Sequence, residues 1–192
     1  MLSKKNENIM IRSFENTHPV ISKSAYIDEQ STVIGNVKIG DDSAMWPQSV
    51  ARGDINPIII GARTNIQDGS IIHVTHKSEY SVGFSAIIGN DVTVGHSVII
   101  HACQIGDRVL VGMGSIILDG SEISNDVMIG AGSLVSPGKK LESGFLYLGS
   151  PVKKVRELNE KEKKFLLYST SGFEIKANLV FVFFNPKLFP PP

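Results

Sequence analysis

An aliphatic residue recurs every six positions through the middle of this chain. From Ile105 the series runs Ile105, Val111, Ile117, Ile123, Ile129 and Val135. Earlier runs with this spacing are Ile27, Val33, Ile39, Met45 and Ala51, then Ile60, Ile66 and Ile72, then Ile88, Val94 and Ile100. A hexapeptide period indicates a parallel β-helix, whose repeats each form one side of a coil. With three sides per coil, positions three repeats apart lie one above the other.

The extent of the repeat predicts how the chain is organised. At three repeats per coil, the hexads make about six coils. We expect a leader with a capping strand, then the β-helix domain, then a C-terminal helix and tail packed on the β-helix. The predicted bounds of these three parts are 1–26, 27–137 and 138–192. Residues 73–87 interrupt the repeat, and we expect them to form a surface loop.

Helical spacing returns after the repeats. Val155, Leu158 and Phe165 predict one amphipathic helix over residues 152–169. The apolar tail 173–192 is either a docking strand or a divergent end without a packed role.

Composition excludes several classes of partner. The chain has 192 residues, which favours one domain, and its 19 basic and 19 acidic residues leave a formal net charge of +0. This balance argues against nucleic acid and against an anionic membrane surface. The chain has no run of about 18 apolar residues, the length that a membrane span needs. With Cys103 as the single cysteine, no internal disulfide can form, and we expect a cytoplasmic, reducing location.

Two histidines fall on the same corner of the predicted coil. His73 follows Ile72 directly and His101 follows Ile100 directly. Ile72 and Ile100 are three repeats apart if the 73–87 loop leaves the face unchanged. The two imidazoles then lie one coil apart, about 5 Å along the stack, and can share one metal ion with Zn–N distances of roughly 2.0–2.1 Å. The alternative is a pair of ordinary surface histidines.

A third histidine points off a different corner. His96 lies two places after Val94, on the preceding side of the coil, so it cannot reach the same ion within one chain. A threefold oligomer places one corner of each copy against a different corner of the next. His73 and His101 from one copy and His96 from its neighbour would form a three-histidine set with an open position, the pattern of a catalytic metal site.

Polar residues accompany both corners. Arg52 follows Ala51 on the His73 corner, and Asp68 lies under His96. If these corners meet between copies, Arg52 and Asp68 can form a bidentate ion pair. Gln67 can direct its amide at the metal site, and Asp54 can orient Arg52. The alternative for Arg52 and Asp68 is a plain interface ion pair without a catalytic part.

Three motifs now make the chain resemble a known family. MWPQSVARGD contains Trp46, Arg52 and Asp54. TNIQDGSIIH contains Asn65, Gln67, Asp68 and His73. VGHSVIIHAC contains His96 and His101. Together they resemble the γ-class carbonic anhydrase-like proteins, trimeric left-handed β-helices with a C-terminal helix, over about residues 11–169.

The resemblance implies both a fold and a reaction. The fold is an all-β solenoid, a left-handed parallel β-helix of hexapeptide repeats with a C-terminal α-helix. The reaction is reversible hydration of carbon dioxide to bicarbonate, a lyase activity, by a metal-bound hydroxide at the homotrimer interface. Zinc is the expected metal, and Fe(II) or Co(II) would also fit three imidazoles.

The resemblance also assigns roles to individual residues. It implies that His73, His96 and His101 hold the metal between subunits and that Gln67 positions the metal-bound hydroxide or bicarbonate. It implies that Arg52 and Asp68 pair across the interface, with Asp54 in support.

The chain departs from the family at residues linked to proton transfer. Ile55 follows Asp54 where well-studied members carry a glutamate, and the loop offers only Glu79 as an acidic side chain. Phe173 stands where members often have a tyrosine. Two alternatives to the enzyme therefore stay open. One is a catalytically weak or inactive metal-binding trimer, and the other is a hexapeptide-repeat acyltransferase with one histidine as general base.

Overall fold

Residues 10–169 are described by the computed structural model, which shows parallel strands coiled into a solenoid and followed by a helix. The first strands are β1 (Ile11–Arg12), β2 (Val20–Ile21), β3 (Tyr26–Ile27), β4 (Thr32–Ile39), β5 (Ala44–Met45), β6 (Val50–Ile60), β7 (Asn65–Ile66), β8 (Ile71–His73), β9 (Ala86–Ile88) and β10 (Thr93–Val94). The next are β11 (Ile99–His101), β12 (Gln104–Ile105), β13 (Leu110–Val111), β14 (Ile116–Ile117), β15 (Glu122–Ile123), β16 (Met128–Ile129), β17 (Leu134–Val135) and β18 (Lys140–Leu141). The last elements are β19 (Phe145–Gly149), β20 (Val152–Glu157) and the helix α1 (Glu160–Tyr168).

Three columns of inward side chains form the core, one for each face of the coil. On the first face, strand pairing aligns Ile11, Val33, Ala51, Ile72, Ile100, Ile117 and Val135. On the second face it aligns Ile21, Ile39, Ile60, Ile88, Ile105, Ile123 and Leu141. On the third face it aligns Ile27, Met45, Ile66, Val94, Val111, Ile129 and Tyr147. The predicted left-handed parallel β-helix with a C-terminal helix is confirmed.

The register of these columns follows from burial. Ile72 and Ile100 are fully buried, whereas the residues directly before them, Ile71 and Ile99, point outward. A slip of one residue would exchange the two sets and expose the core, so burial fixes the pairing along each column. Burying one such side chain contributes about 1.5–3 kcal/mol. The column therefore holds the residues at the corners in register as well.

The coil extends beyond the predicted repeat region in both directions. Ile11 and Ile21 add two sides before Ile27, and Leu141 and Tyr147 add two after Val135. The sequence prediction ended the repeat at residue 137, although Leu141 and Tyr147 continue the spacing of six from Val135.

The predicted helix over 152–169 is correct only in its second half. Residues 152–157 form β20, which pairs antiparallel with β19, and α1 begins at Glu160. The β-branched Val152 and Val155 suit a strand. The helix begins at a capping box, in which the Asn159 side chain accepts from the Glu162 N–H and the Glu162 side chain accepts from the Asn159 N–H.

Helix α1 covers the outer surface of the third face over its later coils. Leu158 and Leu166 are buried there against the outward side chains Leu110, Met128 and Leu146. Among residues 10–169, no helix combines the length and apolar character that a membrane span needs. The tail 173–192, including Phe173, lies outside the described residues, as does the start of the predicted leader.

The predicted loop between β8 and β9 folds back on the coil. Thr75 and Phe84 pair antiparallel through two backbone hydrogen bonds of 3.0 Å. The Asn56 side chain donates to the Thr75 carbonyl at 2.6 Å. These contacts fix the base of the loop against the corner that follows the first face.

Candidate metal centre

Two corners of the coil border the first face, and they carry the predicted site residues. The His96 corner precedes the first face and consists of residues 46–49, 67–70, 95–98 and 112–115. The His101 corner follows that face and consists of residues 52–57, 73–85, 101–103 and 118–121. His73 pairs with His101 in neighbouring strands of the first face, so the predicted stacking of these two histidines is present.

The two stacked imidazoles face each other, and each is also held by an aspartate. His73 Nδ1 lies 3.2 Å from His101 Nε2. On the far side of its ring, His73 Nε2 lies 3.1 Å from Asp54 Oδ1. His101 Nδ1 lies 2.6 Å from Asp119 Oδ1. The order along the corner is therefore aspartate, histidine, histidine, aspartate.

The electrostatics keep both aspartates ionised. Partial burial opposes ionisation of Asp54, but hydrogen bonds from His73 and Arg52 outweigh it and hold the pKa of that carboxyl below its ordinary value. Burial also opposes ionisation of Asp119, and hydrogen bonds from Thr75 and His101 lower its pKa in the same way. Burial lowers the pKa of His73 despite the hydrogen bond to Asp54, which favours the neutral imidazole.

This arrangement leaves two lone pairs directed at each other. An ionised carboxylate can only accept, so each ring donates from the nitrogen that faces its aspartate. The facing nitrogens, His73 Nδ1 and His101 Nε2, then have no proton to share. Two ligands at 2.0–2.1 Å from a tetrahedral ion lie roughly 3.3–3.4 Å apart, close to the observed 3.2 Å. The donor set therefore fits a divalent cation.

His96 lies on the other corner, as its spacing predicts. Its Nδ1 is 3.0 Å from Asp68 Oδ2, and both side chains are about half exposed. Gln67 lies beside them, and its Oε1 is buried with no hydrogen-bond partner among residues 10–169. Within that part of one chain, no group of three or more His, Cys, Asp or Glu side chains is placed to hold a metal ion.

Arg52 and Asp68 have different partners within the chain. Arg52 pairs with Asp54, and the role of Asp54 in orienting Arg52 for function stays a prediction. Asp68 contacts His96, under which the repeat spacing predicts it to lie. The proposed pairing of Arg52 with Asp68 of a neighbouring copy stays a prediction, as do the metal-ligand roles of the three histidines.

Two residues of the corner were missed from sequence. Asp119 accepts from both His101 and the Thr75 hydroxyl. The repeat contained a signal for Asp119, which lies two places after Ile117 and therefore on the His101 corner, one coil beyond His101. Thr75 gave no such signal because it belongs to the inserted loop, which has no repeat position.

Curated proteins with similar sequences include carbonic anhydrases. The chain is 46% identical over 153 residues to the carbonic anhydrase of Geobacillus kaustophilus, covering 80% of this chain and 81% of that protein. It is 36% identical over 155 residues to γ carbonic anhydrase 1, mitochondrial, of Arabidopsis thaliana, covering 81% of this chain and 56% of that protein. It is 56% identical over 165 residues to protein YrdA of Escherichia coli, covering 85% and 90%.

Repeat and fold comparisons agree with the observed coil. A family model described as bacterial transferase hexapeptide (six repeats) matches residues 102–137. The crystal structure of a hexapeptide transferase family protein from Anaplasma phagocytophilum is similar with a TM-score of 0.78. The two chains are 37% identical, and the match covers 84% of this chain and 92% of that one.

Proposed function

The chain belongs to the γ-class carbonic anhydrase-like family of hexapeptide-repeat proteins, and from this premise we propose that it hydrates carbon dioxide reversibly at a metal ion shared between copies of a homotrimer. One observation carries the proposal. His73 Nδ1 and His101 Nε2 face each other 3.2 Å apart, while Asp54 and Asp119 contact the outer nitrogens of the two rings and are placed to accept their protons. Two nitrogen lone pairs that converge in this way would favour a bound cation.

The third ligand in this proposal is His96 of a neighbouring copy. The first face runs from the His96 corner to the His101 corner. A threefold axis facing the first face would bring the His101 corner of each copy against the His96 corner of the next. Three imidazoles and one open position would result, as in catalytic zinc sites.

The outer surface of the first face supports this assembly. From Val50 onward its outward row is aliphatic: Val50, Ile71, Ile99, Ile116 and Leu134. Ile71, Ile99 and Ile116 are each more than a third exposed in the single chain. The matching row of the second face becomes polar, with Gln104, Glu122 and Lys140, and α1 covers the third face. A continuous aliphatic row is typical of a surface that another protein chain covers.

The residues around the metal position divide the chemistry between them. A divalent ion held by the three histidines, with zinc as our first choice and Fe(II) or Co(II) as alternatives, would supply a Lewis acid that makes water more acidic. Gln67 offers a buried amide oxygen that accepts a hydrogen bond from the substrate side, since no partner within residues 10–169 occupies it. Arg52 and Asp68, paired across the interface, would align the two copies, with Asp54 holding both Arg52 and His73.

Carbon dioxide hydration by the purified protein, loaded separately with zinc, cobalt and anaerobic iron, tests the proposal. We expect a stopped-flow rate above buffer for at least one metal and a fall to background in His101→Ala, because that variant removes one metal ligand. His18→Ala is the matched control, since His18 is exposed and contacts Ser13 rather than the His101 corner. No rate above buffer with any metal, or an unchanged rate in His101→Ala, would refute the proposed carbon dioxide hydration at this site.

A hexapeptide-repeat acyltransferase is the second candidate, favoured by the matching transferase repeat model and by the similar transferase-family structure. Metal analysis separates the two, since an acyltransferase needs no ion held between copies. A trimer that binds metal without hydrating carbon dioxide would instead support a catalytically inactive relative. The exposed Ile55 next to Asp54, which offers no proton acceptor, is consistent with slow proton transfer.

A further inference from the structure

Asp119 contacts the proposed metal centre from the side opposite to Asp54. It lies on the His101 corner, one coil beyond His101, because Ile117 pairs with Ile100 in the inward column. One carboxylate oxygen accepts from His101 Nδ1 at 2.6 Å. The other accepts from the Thr75 hydroxyl. The side chain is 31% exposed, so the pair is partly shielded from water.

The hydrogen bond to Asp119 controls what His101 can offer to a metal. With Nδ1–H donated to the carboxylate, the neutral ring exposes its Nε2 lone pair toward His73. The same bond fixes the rotation of the ring. Without it, the proton could move to Nε2 and the ring could turn toward solvent, and either change would remove one ligand.

Asp119 also connects His101 to the loop between β8 and β9. Thr75 stands at the base of that loop, where it pairs with Phe84 through two backbone hydrogen bonds. The Phe84 ring packs over Gly120, where an added Cβ would lie 3.3 Å from the ring. The loop base therefore rests on Asp119 and Gly120, and Thr75 limits the movement of the carboxylate.

We propose that Asp119 is a positioning residue that presents His101 Nε2 to the metal, and that Thr75 holds Asp119 in that position. The inference rests on the proposed metal site and adds the two residues that orient one of its ligands. A carboxylate behind a ligating imidazole fixes its tautomer and raises its basicity, and removing such a partner weakens metal affinity about 10–100-fold.

Zinc affinity measured by chelator competition tests the proposal without reference to catalysis. Asp119→Asn keeps the shape of the side chain but loses the charge that strengthens the bond to His101. We expect zinc affinity to fall about 10–100-fold and the visible absorption of the Co(II)-loaded protein to change, because the ligand field at His101 changes. Thr75→Val, which leaves the Asp119–His101 contact intact, should weaken affinity less.

Asp126→Asn is the matched control. Asp126 is 35% exposed and accepts two hydrogen bonds from Arg108. Neither residue belongs to the His96 corner or to the His101 corner, so this variant removes a similar ion pair away from the metal. It should leave zinc affinity and the Co(II) spectrum unchanged. Native mass spectrometry should show the same oligomer for all variants.

The outcomes separate this inference from the proposed function. If the unaltered protein binds no metal, both are overturned. If it binds metal and Asp119→Asn binds zinc equally well with the same Co(II) spectrum, only the positioning role is overturned. If Asp119→Asn does not fold, Thr75→Val decides, because an unchanged affinity and spectrum in that variant would contradict the proposed coupling.

Discussion

Aspartates determine the chemical state of each histidine in the two corners. Asp54 and Asp119 each accept from the outer nitrogen of a stacked imidazole, and Asp68 lies 3.0 Å from His96 Nδ1. Because a carboxylate only accepts, its position decides which ring nitrogen keeps a free lone pair. The histidine spacing alone predicts proximity, whereas the aspartates make the pair suited to a cation.

The single cysteine, Cys103, gives a second prediction that concerns an individual residue. Burial raises the pKa of the Cys103 thiol to about 12, despite a hydrogen bond with Ser121 that lowers it. At pH 8 the folded protein should therefore resist alkylation by iodoacetamide, and reaction should require unfolding. Because the unfolded thiol ionises near 8.5, the free energy of unfolding should fall as pH rises from about 8.5 toward 12.

Mass spectrometry after alkylation in buffer and in denaturant checks this prediction. Rapid labelling of the folded protein at pH 8 would contradict it. The cytoplasmic location expected from the single cysteine stays a separate prediction.

At the scale of elements, the C-terminal helix depends on one acidic residue. Glu162 is buried and accepts hydrogen bonds from Arg156 Nη2 and Nη1 at 2.7 and 2.8 Å. It also closes the capping box with Asn159. The side chain thus joins β20 to α1 at the point where the strand ends.

Glu162 should make the stability of the protein depend on pH. The hydrogen bond from Arg156 holds the pKa of Glu162 below its ordinary value although burial opposes this. Because the pKa is lower in the folded state, Glu162 contributes its full stabilisation of the fold above the unfolded pKa of about 4.3. That stabilisation is lost as pH falls below this value. Glu162→Gln should lower the free energy of unfolding by about 1 kcal/mol at pH 7. In this variant the free energy of unfolding should also fall less steeply between pH 7 and pH 3.

Thermal unfolding of both proteins between pH 7 and pH 3 provides the measurement. Glu160→Gln is the control in the same helix, since Glu160 is 80% exposed and its pairing with Lys163 is a surface contact of little expected effect. Equal acid sensitivity in Glu162→Gln and the unaltered protein would count against this account.

At the scale of the whole molecule, the three faces have different surfaces. Helix α1 covers the third face, the second face carries polar side chains over its later coils, and the first face presents its aliphatic row between the two histidine corners. The proposed trimer uses this difference, because association through the first face alone brings the histidine corners of neighbouring copies together.

Ile99 and Ile87 provide a matched test of the assembly. Each directly precedes a fully buried isoleucine of its column, and each is 38% exposed, on the first and second face respectively. Ile99→Glu should yield monomers that lose the metal, because it places a charge in a desolvated interface. Ile87→Glu should remain trimeric with its metal.

Light scattering and metal analysis on both variants check this prediction. A trimeric Ile99→Glu, or dissociation of both variants alike, would contradict association through the first face.

The sequence by itself determined the coil and the pairing of its corners. Burial of every sixth side chain is a one-dimensional period, so it predicted the columns, and the columns placed His73 opposite His101 and Asp68 near His96. The family and fold inferred from the motifs are confirmed by the relatives and by the observed architecture.

Only the tertiary structure decided which nitrogen of each imidazole faces an aspartate, that Asp119 and Thr75 belong to the centre, and that residues 152–157 form a strand. These features depend on side-chain rotamers, on the path of an inserted loop and on contacts between residues far apart in the chain. Asp119 has a repeat position, but its contacts with His101 and Thr75 depend, like the other features, on packing between coils rather than on local spacing.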